Sequence, residues 1–138
     1  MHPVPAKKIE DTEAYIQITI ENMKKGEELV CAVLEKDTKE YLGMAGLHEA
    51  STEIPELGIW IKKSAHGHGY GREAVTALKQ WADANVSYIH LIYPVAAANI
   101  SSRKIPESLG GKIMREYENT SMGGQTWPYI DYWICKDN

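Results

Sequence analysis

The stretch IPELGIWIKKSAHGHGYGREA, Ile54 to Ala74, decides how the rest of the chain is read. An apolar run leads into a loop carrying Gly67, Gly69 and Gly71, and the loop passes straight into a helical pattern. The first N–H groups of a helix find no partner inside it, and its dipole adds positive potential there, so the junction attracts an anion. A side chain at any of the three glycines would crowd that anion or require an unfavourable φ. The expected occupant is a pyrophosphate, met by the backbone N–H groups of His68, Tyr70 and Arg72. The bland alternative is a plain glycine-rich turn. A nucleotide P-loop is excluded, because no Lys-Ser/Thr follows the last glycine.

Outward from this stretch, Ile54 to Ile61 predicts a strand. Gly71 to Asn85 predicts a helix with Ala74, Val75, Leu78 and either Trp81 or Ala82 as its buried stripe. Tyr88 to Pro94 (YIHLIYP) is nearly all apolar, as suits a buried strand parallel to its predecessor after a crossover helix. Upstream, Asp11 or Thr12 caps a helix carrying Tyr15, Ile16, Ile20 and Met23, closed by Gly26. Leu29 to Glu35 and Tyr41 to His48 read as two strands about a turn at Lys36 to Lys39. Downstream, a short helix spans Ile100 to Leu109, stopped by Gly110-Gly111. Lys112 to Tyr117 and Tyr129 to Cys135 form a last antiparallel pair joined by a long glycine-containing loop. The sum is an α/β (α+β) chain: an open mixed sheet, mostly antiparallel, with one βαβ crossover.

At 138 residues, 43% apolar and 25% charged, the chain suits one globular domain with its own core. Its net charge of −4 argues against a nucleic-acid partner, which needs a basic face. Cys31 and Cys135 are expected to be reduced, buried small residues, and they form no metal-ligand spacing. No apolar run approaches membrane-spanning length and no leader pattern opens the chain, so no membrane partner is expected and the expected setting is cytoplasmic. On that basis the sequons at Asn85, Asn99 and Asn119 are read as chance.

In this order, strand, glycine loop, helix and second strand resemble the GNAT N-acetyltransferase superfamily, and within it the RimJ/RimL-type protein N-acetyltransferases. The superfamily's acetyl-CoA signature, Gln/Arg-x-x-Gly-x-Gly/Ala, is matched by His66-Gly67-His68-Gly69-Tyr70-Gly71 except at its first position. Arg72-Glu73-Ala74 is similar to the Glu-Ala that follows that loop in the subfamily. Glu56-Leu57-Gly58-Ile59-Trp60 resembles its Glu-x-Gly-Tyr-Trp strand, Asn99 and Ser102 its Asn-x-x-Ser, and Leu109-Gly110 its Leu-Gly before Phe. The resemblance covers residues 29 to 135 and implies one acetyltransferase domain over residues 1 to 138. It implies acetyl-CoA as cosubstrate, no metal, and direct transfer to a primary amine, either a peptide N-terminus or a small molecule. Its cofactor-binding set is Ile59, Ile61, His66, Gly67, His68, Gly69, Tyr70, Gly71, Arg72, Asn99 and Ser102. Three departures stand out: His66 for Gln or Arg, Gly111 for Phe, and Pro106 inside the short helix, where it cannot donate to the Ser102 carbonyl and should kink or break the helix. The N-terminus also looks short beside family members: either the chain does without the usual first strand and helix, or a neighbouring subunit supplies the cover. These features support a rival reading, a degenerate acyl-CoA-binding sensor.

Acetyl transfer to an amine needs removal of a proton from an alkylammonium, whose pKa is roughly 10, and stabilisation of the carbonyl oxygen as it becomes anionic. The departing thiolate must also be oriented. Glu56 is the candidate base, directly or through a water, on the same strand face as Gly58 and Trp60. Its bland alternative is a solvent-facing glutamate. Ser102 is the candidate proton donor to the thiolate, and Asn99 a pantetheine contact; helix capping by Asn99 and an exposed Ser102 are the alternatives. Arg103 or Lys104 is a candidate for a cofactor phosphate, and Tyr129 and Tyr132 for the acceptor site. His66 and His68 make a poor metal site without a third ligand nearby. Paired strands at an open edge also allow a homodimer, and the acidic balance favours a cationic acceptor.

Overall fold

Residues 23–136 are described in a computed structural model. Strands β1 (Glu28–Leu34) and β2 (Tyr41–His48) form a hairpin, its turn closed by Glu35 N–H donating to the Glu40 carbonyl at 2.8 Å. Strand β3 (Glu56–Ile61) pairs antiparallel with β2 and leads through a 3₁₀ turn at Lys63–Ala65 to helix α1 (Tyr70–Asn85). Strand β4 (His90–Ala96), helix α2 (Ile100–Ser108) and strands β5 (Lys112–Thr120) and β6 (Thr126–Cys135) follow. The six strands form one sheet in the order β1-β2-β3-β4-β6-β5, parallel only between β3 and β4. The open, mostly antiparallel sheet with a single βαβ crossover is the expected architecture.

Alternation divides the sheet into two unlike faces. Leu47, Leu57, Leu91, Tyr93, Ile130, Tyr132 and Ile134 are buried with Val75, Leu78 and Ala82 of α1, and Ile105 of α2 packs against them. Each fully buried aliphatic side chain there contributes about 1.5–3 kcal/mol. Trp81 is exposed, so Ala82 completes the helix stripe. The other face carries a polar row: Glu28, His48 and Glu56 lie in register across β1, β2 and β3, and Asp131 of β6 lies opposite Pro94 of β4.

The sheet splits where its two parallel strands meet. Ile92 N–H donates to the Pro55 carbonyl at 2.9 Å, and Glu56 pairs with Ile92. The next donor on that side of β4 belongs to residue 94, a proline without an N–H. The ladder stops there, and the ends of β3 and β4 run on unpaired to each other.

Several expectations are corrected. Helix α2 runs through Pro106 without breaking; the proline is its seventh residue, so only the Ser102 carbonyl loses a donor. The segment between β5 and β6 is not a long loop: the ladder continues to Thr120 and Thr126, closed by a turn with Gly124 at φ 83°. Gly111 leaves no room for Phe, because even a Cβ would lie 2.7 Å from the Pro106 carbonyl oxygen and 3.2 Å from Ile134. Cys31 and Cys135 are free but exposed, not buried: one lies on strand β1, the other at the end of β6. The N-terminal helix expected from residue 11 onward lies outside the described residues, save for its close, where Gly26 takes φ 74°. Among the described residues no helix is long and apolar enough to cross a membrane.

Candidate active site

The glycine loop is shaped as an anion cradle. Gly67 and Gly69 adopt φ 84° and 75°, a region other residues enter only at a cost. No side chain caps α1, and its first turn closes only with Glu73 N–H donating to the Gly69 carbonyl at 3.0 Å. The six N–H groups from Gly67 to Arg72 therefore have no backbone or side-chain partner among the described residues. Consecutive N–H groups in such a turn form a concave nest for an anion, reinforced by the dipole of a 16-residue helix.

The flanking side chains are occupied elsewhere. His66 Nε2 lies 2.7 Å from the Ile61 carbonyl, and the His68 ring stacks on Tyr70 at 5.4 Å. No group of three metal-ligating side chains occurs among the described residues. Gly71 is small for a reason other than the anion: a Cβ there would sit 3.3 Å from Ile105 and 3.7 Å from Ile59 and Ile61, which form the wall under the helix start.

A small cleft, open to solvent, lies in the split between β3 and β4. Leu57, Gly58 and Ile59 line one side, Tyr93 to Ala96 the other, and Asn99, Ser102 and Tyr129 complete it. Asn99 caps α2, its Oδ1 accepting from the Ser102 N–H at 3.1 Å. Ser102 Oγ lies 2.7 Å from the hydroxyl of Tyr93, whose pKa burial pushes up while the serine contact opposes it. Capping and a cleft position thus coexist, although the sequence posed them as alternatives. Arg103 is engaged within the fold: its Nε donates to Tyr132 Oη and its Nη1 to the Ala97 carbonyl, stapling α2 to β6. Of the two tyrosines named for the acceptor, Tyr129 lines the cleft and Tyr132 is core.

Glu56 stands on the opposite sheet face from the helices, beside the cleft rather than among its lining residues. Burial raises its carboxyl pKa, the neighbouring His48 opposes the rise, and Glu49 and Asp131 add to it. Asp131, unnoticed in the sequence, is buried on the same face, its Oδ1 accepting from Tyr117 Oη at 2.8 Å. Burial and that carboxylate raise the Tyr117 phenol strongly. A lone aspartate in YIDYWIC gives no signal beyond an acid at a strand's outward position. Glu56 and Ser102 thus approach the split from opposite faces of the sheet.

A family model described as the acetyltransferase (GNAT) domain matches residues 1–112. No curated protein sequence matches the chain. Among solved structures, a putative ribosomal-protein-serine acetyltransferase from Vibrio cholerae is similar at 24% identity and TM-score 0.76, over 96% of this chain and 78% of that one. The ribosomal-protein-S5-alanine acetyltransferase from Vibrio fischeri aligns at 16% identity and TM-score 0.86, over 99% and 79%. Spermidine/spermine N-acetyltransferase SpeG from Vibrio cholerae aligns at 16% identity and TM-score 0.79, over 96% and 79%. At these identities the likeness is one of fold.

Proposed function

The chain belongs to the GNAT acetyltransferase family and is an N-acetyltransferase, and from that premise we propose direct transfer of the acetyl group of acetyl-CoA to a primary amine. The observation that carries the proposal is the row of six N–H groups without a partner among the described residues, on the same chain as a cleft where β3 and β4 part. The nest suits a pyrophosphate, and the split gives a narrow arm a passage from the helix face to the polar face. Bound there, acetyl-CoA supplies an activated acyl group on a thiol leaving group. Gly67 to Arg72 hold the phosphates by backbone, Ile59 and Ile61 wall the passage, and Asn99 fixes the start of α2.

On the polar face, Glu56 receives the ammonium and takes its proton, directly or through a water. A carboxyl raised by burial is a stronger base than an ordinary one, which suits that task. At the other end, the Tyr93 and Ser102 hydroxyls lie 2.7 Å apart, and with the phenol as donor the serine proton is free for the thiolate. Glu56 and Asp131 on one face favour a cationic acceptor. Protein and polyamine amines, the acceptors named for the structural neighbours, both meet that requirement. Among the described residues β1 and β5 are the edges of the sheet, which leaves room for a homodimer.

Calorimetric titration with acetyl-CoA, desulfo-CoA and ATP tests the cradle. Micromolar binding of both coenzyme A species with ATP silent is the expected result. Failure of every coenzyme A species to bind would overturn the proposal.

A further inference from the structure

Transfer to an alkylammonium removes two protons from nitrogen. The N–C bond forms and the C–S bond breaks; one proton ends on the thiol sulfur and the other leaves for solvent. A single carboxylate at Glu56 must discharge one proton before it can take the next. The polar face holds a second group suited to the task.

His48 is half-buried at the end of β2, directly opposite Glu28 on β1 and Glu56 on β3. Its Nδ1 lies 2.5 Å from Glu28 Oε1. An ionised carboxylate only accepts, so if Glu28 is ionised Nδ1 is the donor to it, and whenever the ring is neutral its lone pair is on Nε2. That nitrogen has no hydrogen-bond partner among the described residues. Its direction follows from Gly46, where an added Cβ would come within 3.0 Å of Nε2 and 3.2 Å of Cε1. The ring therefore lies along the sheet over Gly46. Gly46 pairs with Gly58, and Gly58 lines the cleft. Two adjacent glycines give a floor without side chains, with Glu56 in the neighbouring rung and the imidazole over its Gly46 end. Alanine at Gly46 would strike the ring in that position.

We infer that His48, oriented by Glu28, is a catalytic base of the acetyl-transfer site, its Nε2 taking one of the two protons the acceptor nitrogen sheds while Glu56 takes the other. Glu28 is a positioning residue, acting through the imidazole. The inference rests on the acetyl-transfer reading. Imidazole suits the role because it is the side chain that ordinarily titrates near neutrality. Among the described residues the charged groups facing it are Glu28 from β1 and Glu56 from β3, with Glu49 next to it in the chain and Asp131 farther along the same face.

The test compares wild type, His48→Ala and Glu28→Gln. Acetyl-CoA affinity is read by calorimetry and amine-dependent thiol release by a colour assay. The expected result for His48→Ala is unchanged acetyl-CoA affinity, turnover lower by about 100-fold, and partial recovery on adding free imidazole. Independently of turnover, nitrogen NMR of the wild-type imidazole should show the Nδ1–H tautomer, and Glu28→Gln should lose that bias. Wild-type turnover in His48→Ala overturns the inference, as does a loss that imidazole does not recover while acetyl-CoA still binds. Should His48→Ala fail to bind acetyl-CoA, Glu28→Gln decides: a retained tautomer and full turnover overturn the inference, while loss of both supports it. A wild-type protein that binds acetyl-CoA yet acetylates no amine defeats the transfer reading itself, a separate outcome that takes the inference with it.

Discussion

Replacing Gly69 with alanine isolates the backbone's part in the cradle. The residue sits at φ 75°, and a Cβ built there meets nothing within 4 Å, so the substitution meets no steric block. Its cost lies in the backbone alone, about 1–2 kcal/mol for an L-residue held in the left-handed region. Gly69 is exposed, so the free loop can turn to a negative φ and shed that strain, which scatters the N–H groups from Gly67 to Arg72. Binding must restore the turn, and the strain then appears in the affinity. At 1.4 kcal/mol per tenfold, acetyl-CoA should bind about 5- to 30-fold more weakly, with the denaturation midpoint nearly unchanged. Gly71→Ala is the comparison: its φ is ordinary, so it adds no left-handed strain, and its Cβ meets side-chain atoms of Ile105 at 3.3 Å and of Ile59 and Ile61 at 3.7 Å, so its loss of affinity should be smaller than that of Gly69→Ala. Calorimetry reads both variants. A Gly69→Ala protein that binds as tightly as wild type would refute the idea that backbone N–H groups at this turn provide the grip.

Ser102→Ala should lower turnover by about 10²-fold with little change in acetyl-CoA affinity, and Tyr93→Phe should lower it less and add nothing in the Ser102→Ala background. Additive losses in the double variant would separate the two hydroxyls. Glu56→Gln should abolish most turnover yet stabilise the fold at pH 7. A carboxyl raised by burial contributes stability below its unfolded pKa and loses it as pH rises through the folded one, so the gap between variant and wild type should close on acidification. Urea denaturation at pH 7 and pH 4 checks the sign. Lys79→Met should cost about 3 kcal/mol in the same assay, because Lys79 is buried against Asp83 at 2.8 Å and its loss takes the cation from a partly buried carboxylate.

The fold was legible where pattern and backbone chemistry agreed. The strand–glycine loop–helix run, the Tyr41 to His48 strand and the crossover all follow from periodicity and turn residues in short range. The split between β3 and β4 was also written in the chain, at Pro94, but reading it requires knowing that the residue 94 donor would face β3. Pro106 misled because a proline costs one hydrogen bond near a helix end and far more in the middle. The polar face was mostly hidden. Glu56 stood out only beside its glycine loop, whereas Glu28, His48 and Asp131 come from three strands spread over more than a hundred residues. Only the strand register brings them onto one face, and register is set by tertiary pairing that local pattern does not encode. Buried Lys79 escaped notice for a related reason. Its partners, Asp83 one turn on and the Tyr88 hydroxyl that donates to Asp83, look in the sequence like a solvated helix face and an ordinary aromatic.

The most direct test of the central claim is mass-resolved transfer. The purified protein is incubated with isotopically labelled acetyl-CoA and, separately, a polyamine and a peptide with a free N-terminus, and thiol release is counted against labelled product. The account predicts one labelled acetyl group on a primary amine for each thiol released, with no label retained on the protein. Tight acetyl-CoA binding with no acetylated product from any amine, or with the label covalently on the protein, would contradict it.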